Sequence, residues 1–186
     1  MRASDRAYRK LFDEIIDGAL ASGTVLGEVE QSERLGVSRT PLREAFNRLV
    51  GDGLLHAEPG RGVVVTTLSA DTVLELYELR EGLEEQAARL AAQRADREVF
   101  KNLWEEFEQS KKLIDGGDIG AMVFYDLNAK FDDAISDAVQ NPYLAAALKN
   151  VRTHMARIRR LARTNPKRLL EAANETQLIV EAIADG

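Results

Sequence analysis

Between Ser32 and Phe46 the chain reads SERLGVSRTPLREAF, and the spacing inside this stretch narrows the fold more than any other feature. Ser32 is small where two helices must approach closely. Gly36 follows four residues later, where glycine readily takes a left-handed turn, and Leu42 lies six residues beyond, placed to plug the gap between the helices. The spacing predicts helix, tight turn, helix. Ser38 is the expected N-cap of the second helix, and Pro41 is tolerated in its first turn. Ser38, Arg39, Thr40 and Arg43 then occupy the opening turns of that helix, with Arg39 and Arg43 on one face. Such positions reach base edges and phosphates when a recognition helix enters the major groove of DNA. Guanidinium forks suit guanine edges and phosphate oxygens.

The flanking residues extend this pattern. Ala7, Leu11 and Ile15, beside Tyr8, Phe12 and Ile16, recur at helical spacing over residues 5–18. Glu28 to Leu35 is the first helix of the pair, and the second runs to about Val50. Two β-rich runs follow, LLHA at 54–57 and VVVTTL at 63–68, joined by EPGRG. Alone, such a hairpin is most simply a surface element that touches nothing. Directly after a helix-turn-helix it reads as a wing, with Gly60, Arg61 and Gly62 at its tip and Arg61 placed to meet the DNA backbone or minor groove.

A net charge of −6 argues weakly against a nucleic-acid partner, but charge is local. Residues 1–69 hold nine Lys/Arg and ten Asp/Glu, so the acid lies mostly beyond them. The absence of cysteine excludes disulfides and thiolate metal sites and fits a reducing, cytoplasmic setting. No apolar run approaches the roughly 20 residues that span a bilayer, so no membrane partner is expected.

From Ser69 onward every segment reads as helix: a long one capped by SADT and running to about Ala92, then roughly 96–115, 119–139, 142–163 and 166–184. The expected fold is mainly α, a winged helix-turn-helix over residues 1–68 followed by an antiparallel all-helical bundle over 69–186. In the first long helix Val73, Leu76, Tyr77, Leu83, Ala87 and Leu90 form an apolar stripe that contains Arg80. A charge on such a stripe needs a partner, either an anionic ligand or an internal carboxylate such as Asp132. Asn128 and Thr176 fall on the apolar faces of their helices, so Arg80, Asn128, Asp132 and Thr176 are the candidate pocket residues. His154 is expected to be a structural histidine. Arg152, Arg157, Arg159, Arg160 and Arg163 are expected to form a solvated basic face.

The run ERLGVSRTPLREAFNRLVGDGLL with PGRG resembles the winged-helix domain of GntR-family transcription regulators. LYELREGLEEQAARLAA, NAKFDDAISDAVQNPYL and ETQLIVEAIADG resemble helices of the FCD-type effector domain in the FadR-like branch of that family. The chain departs from the family pattern at Gln31-Ser32, where Leu-Ala is usual. The resemblance implies a homodimeric regulator of double-stranded operator DNA. It also implies a small-molecule effector, with carboxylates among the candidate classes.

Many FadR-like domains carry an Asp and a His four residues apart, with two further His from later helices. The matching positions here are Asn128, Asp132 and Thr176, and the last His and the family's final helix have no counterpart up to Gly186. The expectation is therefore a C-terminally short effector domain with no strong transition-metal site and no cofactor. A metabolic repressor released by its effector is the leading function, and a DNA-binding regulator with a degenerate sensor is the alternative. An enzyme with a targeting head finds little support. The chain has no Cys nucleophile, nucleophile elbow or P-loop, and its two His are far apart in sequence.

Overall fold

The structure is a computed structural model describing residues 1–114, 118–161 and 166–186. The chain divides into two compact units, Met1–Glu75 with Thr153–Arg160, and Leu76–Arg152 with Leu161–Gly186.

The first unit contains α1 (Ala3–Ile16), β1 (Val25–Leu26), α2 (Glu28–Leu35), α3 (Arg39–Gly51), β2 (Leu55–Glu58) and β3 (Gly62–Val65). Ala7, Leu11 and Ile15 recur on one face of α1 and are all buried, as are Leu42, Ala45, Phe46 and Leu49 of α3. With Leu26, Leu54, Leu55 and Val65 these two faces close one apolar core. The sheet is antiparallel in the order β1-β3-β2. The hairpin β2–β3 follows the sequence, with β2 displaced by one residue and β3 starting one residue early and stopping at Val65, three residues short of Leu68. β1 is an addition: only Val25 and Leu26 pair, opposite Val64 and Val63. Two residues carry no alternation that periodicity could detect.

Tyr8 ties α1 to the end of α3. Its hydroxyl donates to Asp52 Oδ2 at 2.6 Å, and the Arg48 guanidinium lies 4.0 Å from its ring centroid. Arg48 in turn reaches Asp5 at 2.8 Å. Residues 153–160 complete this unit. Arg157 is buried, donating through Nη1 to Thr66 Oγ1 (3.0 Å) and through Nη2 to Thr66 O (2.6 Å) and Ser22 Oγ (3.3 Å). Burial holds its pKa below the ordinary arginine value. The expected solvated basic face is therefore corrected at Arg157. Arg163 and the side chain of Arg160 lie outside the described residues. His154 is half-buried, and burial followed by the charge of Arg157 lowers its pKa, a structural role.

The second unit is helical: α4 (Ala70–Arg94, entering from the first unit), α5 (Arg97–Ile114), α6 (Asp118–Val139), α7 (Pro142–Leu161, whose residues 153–160 belong to the first unit) and α8 (Pro166–Asp185). Ser69 begins α4, accepting from the Thr72 amide at 3.0 Å. Pro142 stands at the first position of α7, and Asn141 Oδ1 accepts from the Tyr143 and Leu144 amides. Arg94 donates to the Val139 carbonyl at the end of α6 (2.6 Å), satisfying an orphan acceptor. Phe100, Phe107, Phe124, Ile135, Ala173 and Val180 are among the core residues. The apolar stripe of α4 is buried only in its second half: Ala87, Leu90 and Ala91 are inside, whereas Tyr77 is 46% exposed. No helix among the described residues is long and apolar enough to cross a membrane.

Burial, first, and the Asp52 hydrogen bond push the Tyr8 phenol up to about 12. A phenol that ionises later when folded lends stability that is complete below its unfolded value near 10 and lost as pH rises towards 12. Tyr8→Phe should cost about 1 kcal/mol in urea unfolding at pH 7. The variant should also lose part of the stability decline that the wild type shows between about pH 10 and 12.

Candidate nucleic-acid interface and helical-domain cavity

Gly36 closes α2 with φ +62° and ψ +37°, a left-handed conformation that costs glycine little. The Val37 amide donates back to the Ser32 carbonyl at 3.1 Å, fixing the angle at which the chain leaves the helix. Leu42 is 0% exposed and lies in the core with Phe46 and Leu49. Ser32 is half-buried, its hydroxyl folded back onto the Val29 carbonyl at 2.8 Å. Gln31 is buried rather than exposed, and accepts from Arg34 Nε at 2.7 Å. That hydrogen bond satisfies the buried Gln31 amide oxygen. Ser38 holds the N-cap position, as expected, with extended backbone, although its side chain makes no capping hydrogen bond.

The buried side of α3 determines its outer side. Ser38, Arg39, Thr40 and Arg43 are all exposed. Arg43 is not idle: its Nε donates to both carboxylate oxygens of Glu28, at 2.8 and 2.9 Å. The Arg43 hydrogen bond holds the Glu28 carboxyl below the usual carboxylate range. Glu28, in the first turn of α2, is a partner of Arg43 that the sequence pattern did not single out. At the wing tip the Arg61 amide donates to the Glu58 carbonyl (3.0 Å) across Pro59 and Gly60, and Gly60 takes φ +79°. Proline then left-handed glycine makes a tight reversing turn. Gly62, at φ +99°, has Leu26 O 3.3 Å from where a Cβ would stand, so a side chain there would press on β1. Arg61 is exposed and pairs with Glu58 at 3.2 Å.

In the helical unit the four candidate pocket residues separate into pairs. Asn128 is buried and donates to the Phe124 carbonyl (3.3 Å), and the Thr176 hydroxyl lies 3.4 Å from Asn128 Oδ1. Asp132 pairs with Arg152 at 3.0 Å, and Arg152 Nη1 also donates to the Asp132 carbonyl (2.7 Å) and Ser136 Oγ (2.9 Å). Arg80 takes an internal carboxylate, Glu84, one turn along α4, at 2.8 Å, rather than Asp132, the example the sequence offered. The Arg80 and Arg152 Nε atoms meet their carboxylates off the N–H axis, so these are ion contacts without a hydrogen bond at Nε.

A cavity of about 300 Å³ opens beside these pairs. Its apolar lining includes Ala87, Phe131, Ile135 and Ile179. Its polar lining is Glu81, Glu84, Glu85 and Arg152, so none of Arg80, Asn128, Asp132 and Thr176 is a lining residue. Arg152, expected on a solvated face, has only 12% of its side chain exposed. Among the described residues no three His, Cys, Asp or Glu side chains cluster to hold a metal. Asn128 is an amide turned to a carbonyl and Asp132 is engaged by a guanidinium, so the residues at the family's metal positions do not fit a transition metal.

The gntR-family model for bacterial regulatory proteins matches residues 3–65, and the FCD-domain model matches residues 75–186. The chain is 34% identical over 153 residues to the HTH-type transcriptional regulator YdhC of Bacillus subtilis strain 168, covering 81% of this chain and 68% of that protein. It is 31% identical over 173 residues to a probable D-xylose utilization operon transcriptional repressor of Paenarthrobacter nicotinovorans, covering 93% and 75%. Among solved structures, E. coli McbR/YncC aligns with a TM-score of 0.76 at 25% identity, over 98% of this chain and 86% of that one.

Removing the plug tests the geometry. Leu42→Ala should cost about 2–5 kcal/mol in chemical unfolding. Glu28→Gln should leave the unfolding midpoint nearly unchanged, because its pair with Arg43 is exposed.

Proposed function

From the premise that the chain belongs to the GntR family of bacterial regulatory proteins and carries an FCD domain, we propose a dimeric, ligand-responsive repressor whose α3 and wing read operator DNA. Its coarse function, DNA-binding transcriptional regulation, follows from that membership. The observation that carries the finer proposal is the division of α3 into a buried apolar side anchored by Leu42 and an exposed polar side bearing Ser38, Arg39, Thr40 and Arg43.

In this proposal residues 1–68 form the DNA-binding domain and 69–186 the effector and dimerisation domain. Arg39 and Arg43 meet base edges or phosphates in the major groove, while Ser38 and Thr40 hold adjacent phosphates. Gly60 and Gly62 shape the wing tip that carries Arg61 to the backbone or minor groove. Two heads in a homodimer bind the half-sites of a palindromic operator in the cytoplasm. Glu28 keeps Arg43 extended before DNA arrives, and the duplex exchanges that carboxylate for phosphate or guanine. The effector occupies the cavity of the helical unit and releases the operator by binding one arrangement of the protein more tightly than the other. Arg80, Asn128, Asp132 and Thr176 act in the layer behind the cavity wall. The expectation of a carboxylate effector leaned on Arg80, and the Glu84 pair weakens that support.

Duplexes selected in vitro by the wild-type protein provide the test. In fluorescence anisotropy, Arg39→Ala and Arg43→Ala should each weaken binding about tenfold or more, with relaxed sequence preference. Arg61→Ala should weaken all duplexes alike and lower the salt dependence. Unchanged affinity of the Arg39→Ala, Arg43→Ala double variant would remove α3 as the reading element.

A further inference from the structure

We infer that the cavity of the helical unit is built for a small organic cation, an ammonium or amidinium on a compact apolar body. This rests on the proposal that the cavity holds an effector. Among the described residues three carboxylates line it, Glu81, Glu84 and Glu85, against one guanidinium, that of Arg152. The two arginines nearest to hand are both committed. Arg152 spends its charge on Asp132 and its Nη1 protons on the Asp132 carbonyl and Ser136. Arg80 spends its charge on Glu84, with the field of Asp132 adding to the hold. Each of these guanidiniums already has a counter-charge, so an incoming carboxylate would have to share one with a carboxylate in place and would face Glu81 and Glu85. A cation displaces nothing.

The arrangement also has direction. Ala87 and Ile135 are fully buried and form an apolar floor, while Glu81 and Glu85 are exposed at the mouth. The glutamates sit four residues apart, so both stand on one face of α4. A ligand entering with its hydrocarbon end first leaves its charged end beside two carboxylates. There the pairing is charge-assisted while the apolar end is removed from water. Phe131 adds an aromatic ring to the lining, a favourable neighbour for a cation. The volume, about 300 Å³, lies at the small end of the roughly 300–1,000 Å³ typical of ligand pockets, which restricts the body to a single ring or a short branched chain.

Isothermal titration of the full chain with 2-phenylethylamine, 3-phenylpropan-1-ol and 3-phenylpropanoate tests the inference, because these probes share a body and differ in charge. The amine should bind about tenfold or more tightly than the alcohol, and the carboxylate more weakly than either. The Glu81→Gln, Glu85→Gln double variant, altered only at exposed positions, should erase the preference for the amine and keep the affinity for the alcohol. Tighter binding of the carboxylate, lost in Arg152→Gln, would overturn the cationic class and leave the effector site standing. An amine affinity unmoved by the double glutamine variant would place the amine elsewhere and overturn the inference. Absence of saturable binding by all three probes would overturn the cavity as an effector site and the cation class with it.

Discussion

The left-handed turn at Gly36 and the burial of Leu42 six residues later are a single constraint seen from two sides. The turn sets the direction in which the chain leaves α2, and Leu42 reaches the core only if that direction is right. Once Leu42, Ala45, Phe46 and Leu49 are inside, the remaining positions of α3 have no freedom of face. Arg39 and Arg43 project outward because a helix that buries one stripe must present the other. The sheet adds to this without replacing it: Leu26, Leu55 and Val65 complete the core that receives Leu42, and the wing tip carries Arg61 at its outer end.

Polar side chains then set how firmly the parts of each unit are held. In the first unit Tyr8 joins α1 to Asp52, and Arg157 satisfies the Thr66 carbonyl where the chain leaves β3. In the second, Arg94 ends α6 and Asn141 begins α7. Arg157 is a buried cation whose described hydrogen bonds go to hydroxyls and a carbonyl. Among the described residues its charge is met by hydroxyl and carbonyl dipoles, and burial lowers its pKa. The Arg152–Asp132 pair solves a similar problem with a carboxylate.

The sequence was most informative where periodicity and turn chemistry act locally. The helix-turn-helix, the wing and the five later helices follow from apolar spacing and from glycine, proline and asparagine at the joins. β1 escaped because two residues show no period, and its pairing with β3 depends on chain distant in sequence. Arg152 and Arg157 read as a solvated face because a run of arginines on a helix usually is one; the chain alone does not reveal what packs on each side. The choice of Glu84 over Asp132 as the partner of Arg80 was likewise hidden, since both are plausible carboxylates and only three-dimensional proximity selects between them. The cavity is lined from α4, α6, α7 and α8, and none of the four residues singled out in the sequence is in its lining. The sequence does not single out the glutamates of α4; Phe131, Ile135 and Ile179 beside them make them part of a cavity lining.

The opening turns of α3 and the wing tip are the surface proposed to meet DNA. Backbone amide NMR of the labelled chain, titrated with a duplex it selects, decides it. The largest shifts should fall at residues 38–43 and 60–62, with Glu28 moving as Arg43 leaves it. Shifts concentrated on another surface, with residues 38–43 unmoved at saturation, would contradict it.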